Sequence, residues 1–464
     1  MLRTIRIILA ILVFAAITLL FIDPTGTLHP WLGWLAKIQF LPAALALNFV
    51  VVVVLLVLTL VLGRMYCSVI CPLGVLQDVI AWIHGKVKKN RYTYSGEKRW
   101  LRYGVLIVFI LAMVFGIGSV VALLAPYSSY GRMVVNAVNP VMPTVVVAGV
   151  TFVVVALLAW LGGRTYCNTV CPVGTVLSFV ARFSWLKIRF DTEKCRNCSM
   201  CTKNCKASCI DFKTHTVDYS RCVVCGNCID KCKFGALTYR APQTARHESA
   251  DVTDAGRRSF LSSALLAGTA LAMAGVKKEV DKGLSLVEGK NAPERTTPLT
   301  PPGSLSAQNF FQRCTACQLC VSKCPNGVLR PSTDLTTLMQ PTLTFEQGFC
   351  DSECVRCSEV CPTGAIQHMD KEEKLLTQIG HAVWVEKNCL CITDDEDCGE
   401  CENHCPTGAV QLVPLDPTDE YSVWIPEVDV TRCIGCGDCE YHCPAQPFKA
   451  IYVEGHRQHR TLKS

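Results

Sequence analysis

The sequence predicts a membrane α-helical four-span unit joined to α+β ferredoxin-like domains, one with two clusters and one with four, separated by a fifth apolar helix. Three observations carry this. Four long apolar segments crowd the first third of the chain, and 30 cysteines fall in short runs of regular spacing. A further apolar run divides those runs, two before it and four after. With 464 residues there is room for several domains. The net charge of +7 is no nucleic-acid signal, because the basic residues gather at the ends of apolar segments, as in membrane proteins. So many cysteines in a short secreted chain would suggest disulfides. Here neighbouring cysteines are so close that they would compete for one another, and metal ligation is the better reading.

The four segments are Ile7–Ile22, Phe40–Leu62, Tyr103–Leu124 and Val141–Leu161, each near the length needed to cross about 30 Å of hydrocarbon as a helix. Val-rich stretches such as Val50–Val54 also suit buried strands, but length and the lack of turn residues favour helix. Arg3 and Arg6 precede the first span. Arg64, Lys86, Lys88, Lys89, Arg91, Lys98, Arg99 and Arg102 lie between the second and third, and Arg164, Arg182, Lys187 and Arg189 follow the fourth. The other two loops hold only Lys37 and Arg132. Positive residues stay inside, so both termini of the unit face the cytoplasm.

An internal repeat sits on this unit. Gly63–Gly74 (GRMYCSVICPLG) matches Gly163–Gly174 (GRTYCNTVCPVG) one hundred residues later, and each copy follows an even-numbered span. Both Cys-x-x-x-Cys-Pro motifs are therefore expected at the cytoplasmic interface. There Cys67, Cys71, Cys167 and Cys171 can converge into one four-thiolate site near the cluster held by Cys195, Cys198 and Cys201. The plainer reading is small apolar residues at helix ends. A cluster, a dithiol and a quinone-adjacent group all remain open for this set, as a relay or as one wall of a quinone pocket. The apolar-basic stretch Phe179–Phe190 is expected to lie along the interface.

Cys195/198/201/205 and Cys222/225/228/232 have the bacterial two-cluster ferredoxin spacing. Three thiolates on a tight loop cover three corners of an iron–sulfur cube, and the fourth corner takes a cysteine returned by a short helix. In two-cluster ferredoxins that fourth cysteine ligates the other cluster. Cys195, Cys198, Cys201 and Cys232 then hold one cluster, and Cys222, Cys225, Cys228 and Cys205 the other. Zinc ribbons use Cys-x-x-Cys pairs, but not four cysteines in one short run. Four further runs follow: Cys314, Cys317, Cys320 and Cys324; Cys350, Cys354, Cys357 and Cys361; Cys389, Cys398, Cys401 and Cys405; Cys433, Cys436, Cys439 and Cys443. The run at Cys389 has a wider opening loop holding Asp394, Asp395, Glu396 and Asp397. The tails Cys361-Pro-Thr-Gly-Ala-Ile366 and Cys405-Pro-Thr-Gly-Ala-Val410 suggest a loop–helix–turn–strand unit, with the apolar residue after Ala opening a strand. Cys209 aligns with Ala365 and Ala409, and Cys391 has no counterpart, so both are spare. Six [4Fe-4S] clusters then take twenty-four of the cysteines, and the repeated Cys-Pro motifs take four.

Between the two sets lie Arg257-Arg258-Ser259-Phe260-Leu261 and the apolar run Leu261–Val276. These resemble a twin-arginine export signal, placed here in mid-chain. The run is short for a span and near the length of a signal h-region; a buried core helix is the alternative. Residues Asn291–Gly303, rich in Pro and Thr, are expected to form an extended spacer. The resulting division is 1–190 (four spans), 191–240 (two clusters), 241–258 (linker), 259–276 (crossing), 277–308 (linker) and 309–464 (four clusters). No Cys-x-x-Cys-His, no histidine inside an apolar span, no glycine-rich dinucleotide fingerprint and no P-loop occur. Haem, NAD(P)H and ATP are therefore not evident, nor is there a segment long enough for a flavin domain.

Residues 1 to about 240 resemble NapH, the four-span quinol-dehydrogenase subunit of periplasmic nitrate reductase systems. The resemblance rests on the two Tyr-Cys-x-x-x-Cys-Pro motifs, the loop Pro126–Arg132 (PYSSYGR) and the two-cluster domain. From about residue 257 the chain resembles NapG, its four-cluster ferredoxin partner with a twin-arginine leader. A NapH–NapG-like fusion implies electron transfer from quinol to a periplasmic redox protein. The chain is then multi-pass in the cytoplasmic membrane, with the two-cluster domain cytoplasmic and the four-cluster domain periplasmic. Two other classes are an electron-supplying maturation factor for a metalloenzyme and a NosR-like redox regulator. The four-cluster extension favours a conduit.

Overall fold

The computed structural model describes residues 2–23, 27–87, 92–138, 140, 144–241, 290, 292–394, 397–419 and 422–462. The twin-arginine run, the apolar run after it and residues 395 and 396 of the acidic loop lie outside the described residues. The helical part comprises α1 (Leu2–Ile22), the single turns α2 (His29–Leu32) and α3 (Trp34–Lys37), α4 (Phe40–Leu45), α5 (Phe49–Leu62), α6 (Tyr66–Val69) and α7 (Pro72–Val87). Then follow α8 (Arg99–Val114), α9 (Gly118–Leu124), α10 (Pro126–Val138), α11 (Thr144–Gly162), α12 (Thr165–Thr169) and α13 (Pro172–Ala181).

Among the described residues, Arg3–Ile22 and Thr144–Gly162 are long and apolar enough to cross a membrane. The second and third expected spans are each broken into two helices. In the second, Leu47 takes a left-handed φ of 56° and Asn48 caps α5 by accepting the Val51 N–H at 3.3 Å. In the third, Gly116 (φ 71°) closes α8 with a Schellman turn, the Ile117 N–H reaching back to the Ala112 carbonyl at 2.8 Å. Runs of hydropathy do not register such breaks, because the residues at the break are themselves mostly apolar.

The helices turn apolar side chains outward. On α5, Val50, Val53, Val54 and Val57 are each more than half exposed, while Leu55 and Thr59 are buried. The two candidate spans keep only 28% and 17% of their length buried. A core helix of a soluble protein would bury this surface. The two halves of the repeat interlock: α7, after the first Cys-Pro, packs on α11, and α13, after the second, packs on α5.

Cysteine-bearing domains cap both ends of this bundle. At the start of α1, Arg3 pairs with Asp230 of the two-cluster domain at 2.5 Å; at its end, Asp23 meets Lys323 of the C-terminal domain at 3.1 Å. The 21 residues of α1 set these ends about 31 Å apart. α5 repeats the pattern: Gly364 packs against Ala46 at its start, and the Tyr239 hydroxyl donates to the Leu62 carbonyl at its end, at 2.8 Å.

The two-cluster domain pairs strand Lys187–Phe190 with Leu237–Arg240, and Ile210–Asp211 with Thr216–Val217, all antiparallel. It therefore begins at Lys187, and the end of Phe179–Phe190 is a strand of this domain rather than an interfacial stretch. In the C-terminal domain, Leu329–Pro331 pairs with Pro341–Leu343, Val410–Pro414 with Trp424–Val428, and Thr377–Trp384 with Ile451–Thr461. The expected strand opens at Val410, but Ile366 opens none. Nor are residues up to Gly303 a free spacer. Leu299 is buried and accepts from the Leu343 N–H at 3.0 Å, and Gly303 accepts from Gln367 at 2.9 Å.

Candidate metal centres

In four of the six runs the residues on either side of the second cysteine have positive φ. They are Asn197 and Ser199 (52° and 57°), Val224 and Gly226 (50° and 75°), Ala316 and Gln318 (51° and 64°), and Gly435 and Gly437 (78° and 76°). Asn, Ser, Val, Ala and Gln rarely adopt this region. An alternating right- and left-handed backbone points successive N–H groups into one concavity, an anion-binding nest of the kind that surrounds Fe–S sites. Three thiolates on such a loop fit a cluster of net negative charge. After the fourth cysteine a second left-handed residue turns the chain: Ser208, Gly235, Gly327, Gly364 and Gly408. The runs at Cys350 and Cys389, with altered spacing, lack the flanking pair, so their loops are built differently.

In five of the six sets the structure brings the fourth cysteine of one run to the first three of its neighbour. Cys228 lies within electrostatic reach of Cys222, Cys225 and Cys205. In the C-terminal domain Cys320 is within reach of Cys314, Cys317 and Cys361, and Cys357 of Cys350, Cys354 and Cys324. Cys401 faces Cys389, Cys398 and Cys443, and Cys439 faces Cys433, Cys436 and Cys405. The C-terminal cysteines thus group as two tandem pairs of quartets, a pairing that sequence reasoning left unresolved. Cys324, Cys350, Cys354 and Cys357 line one cavity, and Cys389, Cys398, Cys401 and Cys443 line another. The units meet where the Cys350 N–H donates to the Cys436 carbonyl at 2.9 Å. Burial pushes the Cys401 and Cys436 thiols up to about 12, so iron held there would have to displace their protons.

Both spare cysteines are buried beside a quartet. Cys209 follows the left-handed Ser208 as Ala365 follows Gly364, and its Sγ lies 3.6 Å from Cys205 Sγ. Cys391 lines the cavity of the Cys389 quartet, with its Sγ 3.8 Å from the Cys398 carbonyl.

The repeated motifs converge as the symmetry suggests. Cys67, Cys71, Cys167 and Cys171 are all buried, and Cys171 lies within electrostatic reach of the other three. Arg64 donates to the Cys167 carbonyl at 3.1 Å, and Arg164 to the Cys67 carbonyl at 2.5 Å, a reciprocal pair across the two halves. Arg164 also pairs with Asp78 (2.8 Å), which takes Arg6 (2.9 Å) and Lys206 (3.4 Å) as well. The sequence reading put this site near the cluster of Cys195, Cys198 and Cys201; the neighbour from that run is Lys206, directly after Cys205, and the Lys206 carbonyl accepts the Arg164 backbone N–H at 2.7 Å. Cys198 is exposed, whereas Cys225 of the second run is buried within reach of Lys206 and Asp78. Toward the other end, Tyr166 lies within reach of three of the four thiols and of Arg132, and Arg132 within reach of Cys317.

A family model described as a 4Fe-4S binding domain matches residues 45–90 and 144–192, one copy of the repeat each. Models described as a 4Fe-4S dicluster domain match residues 218–328 and 390–447. An uncharacterized protein of Methanocaldococcus jannaschii is 27% identical over 41% of this chain and 69% of its own length. The ferredoxin-type protein NapH of Haemophilus influenzae is 28% identical over 42% of this chain and 68% of that one. The methylamine utilization ferredoxin-type protein MauM of Methylobacillus flagellatus is 31% identical over 33% of this chain and 66% of that one. No solved structure matches. With 4Fe-4S domains at both ends of a helical unit and relatives named as ferredoxin-type proteins, the chain is an iron–sulfur electron-transfer protein of polyferredoxin type.

Proposed function

We propose that this protein is a membrane-bound conduit that passes electrons between the quinone pool and a periplasmic redox protein through six [4Fe-4S] clusters. The observation that carries the reading is linear order. The two N-terminal quartets cap one end of an outward-apolar bundle, and the four C-terminal quartets run away from its other end. Bound clusters supply one-electron chemistry; the chain fixes their spacing, excludes water and provides charge. Exposed Arg99 and half-exposed Arg182 lie at the two-cluster end, which supports a cytoplasmic side for that end by the positive-inside rule. Between that domain and the end of α11, a cavity lined by Tyr92, Lys98, Thr165, Asn168, Lys203 and Arg221 opens beside the exposed Leu161. Polar donors beside a lipid-facing side chain suit a quinol head group.

The test is anaerobic purification of the full chain, with iron and sulfide counting and a quinol-to-dye assay on one sample. Quinol should reduce the protein and turn over the dye. Cys357→Ser should lower the iron content, whereas Cys209→Ser and Cys391→Ser leave it unchanged. Half the implied iron, or clusters that dithionite reduces and quinol does not, would sink the reading.

A further inference from the structure

Away from the cysteine sets, one compact group of metal-binding side chains occurs among the described residues. It comprises His404, Asp438 and His442, with one ligand atom of each within 4.8 Å of the others. Two short helices that pack together supply it. His404 follows Glu400–Asn403, and Asp438 and His442 are the first and last residues of Asp438–His442. Each of the three stands directly before a cysteine, Cys405, Cys439 or Cys443. The group therefore lies at the seam of the last two quartets, where Cys405 and Cys443 are exchanged.

The plain reading is two acid–histidine pairs, each four residues apart. His442 Nδ1 lies 2.7 Å from Asp438 Oδ1, and His404 Nε2 lies 3.4 Å from Glu400 Oε2. Two features go beyond that reading. Asp438 is buried and faces both rings, its Oδ1 also standing 4.0 Å from His404 Nδ1. The rings stack with centroids 3.5 Å apart and planes 4° apart, closer and with less offset than aromatic attraction favours. A ligand shared between them accounts for that approach. The donor set is the one first-row divalent ions take: two imidazoles and a carboxylate, with positions left for water. A histidine bound through Nδ1 carries its proton on Nε2, and ligating histidines generally give that proton to a carboxylate. Glu400 stands at that nitrogen of His404, and with Asp438 it balances a charge of 2+. Metal–nitrogen bonds lie in the plane of the ring, so one ring of a parallel pair must turn on binding. His404, 37% exposed and with a χ2 torsion that is broad for histidine, is free to do so.

We propose that His404, Asp438 and His442 bind one divalent transition-metal ion of the zinc class, with Glu400 orienting His404. The ion ties together the two helices that carry Cys401 and Cys439 and so clamps the last pair of quartets. Binding is a coordination step, without oxidation or reduction, and it does not depend on the quinol reading.

The experiment uses the full chain, purified anaerobically in detergent with its iron and sulfide content measured, and dialysed against an equimolar amount of zinc chloride. One zinc per chain should be retained, and it should raise the unfolding midpoint. Zinc K-edge X-ray absorption should show nitrogen and oxygen neighbours at about 2.0–2.1 Å, imidazole scattering beyond them, and no sulfur. The double variant His404→Gln/His442→Gln should retain no zinc and lose the midpoint shift, with iron and sulfide unchanged. Glu400→Gln keeps all three ligands and should weaken zinc binding about 10–100-fold. If the double variant loses its clusters, the absorption spectrum of the unaltered chain and the Glu400→Gln titration decide the matter. No zinc retained, zinc with sulfur neighbours at about 2.3 Å, full retention by the double variant, or unweakened binding in Glu400→Gln overturns the proposal.

Discussion

Gly74 and Gly174 show how tightly the repeat is closed at the level of single residues. A Cβ on Gly74 would stand 2.2 Å from the Cys67 carbonyl oxygen and 2.7 Å from Arg164 Nη1; on Gly174 it would stand 2.3 Å from the Cys167 oxygen and 2.9 Å from Arg64 Nη2. Backbone on one side and a clamped guanidinium on the other leave nothing to yield. Gly74→Ala is expected to destabilise by about 1–3 kcal/mol, read as a lowered unfolding midpoint, whereas Gly104→Ala, with nothing within 4 Å, should be neutral or slightly stabilising. Equal midpoints for the two would refute the close approach. Elsewhere, His459 gives a pH signature. Burial, with the charge of His456 in second place, lowers it from the ordinary imidazole value to about 4. Its folded pKa lies below the unfolded one, so its contribution is complete above about pH 6.5. As pH falls from there toward 4, the unfolded chain takes up a proton that the native state refuses, at up to about 3 kcal/mol. His459→Gln should flatten the stability profile between those limits; an unaltered slope would mean that another group titrates. At this scale most of the cysteine groupings were legible, because regular spacing along a short loop brings the side chains together. The nest residues Val224 and Ala316 were not, since nothing in an isolated Val or Ala announces positive φ.

Elements were legible by length and hydropathy, and misjudged where helices break. Phe40–Leu62 and Tyr103–Leu124 read as unbroken apolar segments, yet Asn48 and Gly116 end and restart them. In the first, the broken piece brings the Phe40 N–H back onto the Tyr66 hydroxyl at 3.0 Å. That hydroxyl also donates to Gln39 Oε1 at 3.0 Å, which ties the broken segment to the first Cys-Pro motif. The signal was present, as an Asn and a Gly inside apolar runs, but hydropathy averages it away. Sidedness of each helix is now testable. Val57 on α5 faces out, 51% exposed, whereas Leu55 faces in, 4% exposed. If lipid covers the outward face, Val57→Asp should cost about 2.5–3.5 kcal/mol in membrane insertion, seen as loss of the chain from the membrane fraction. Leu55→Ala should leave insertion intact and lower thermal stability by about 2–5 kcal/mol. Normal insertion of Val57→Asp would mean that protein, not lipid, covers this face.

For the whole molecule, the chain must pass from one end of the bundle to the other between residues 241 and 292. Tyr239 is tied to Leu62 at the two-cluster end, and Leu299 is built into the domain that meets Asp23 at the far end. If α1 crosses a bilayer, its own 21 residues span about the hydrocarbon thickness, and the two domains stand in different compartments. A chain joining them then needs a fifth crossing, and the apolar run Leu261–Val276 with its twin arginines is the segment suited to it. The expected outcome is that a reporter fused after Arg240 behaves as cytoplasmic and one fused after Ser464 as periplasmic. Replacing Arg257 and Arg258 by Lys separates two routes. If the export machinery reads the pair, the C-terminal reporter should lose its periplasmic signal, whereas a span inserted by hydropathy alone would keep it, since the charge is unchanged. A cytoplasmic signal from both reporters in the unaltered chain would put both domains on one side. The outward apolar face of the bundle would then have to be covered by protein.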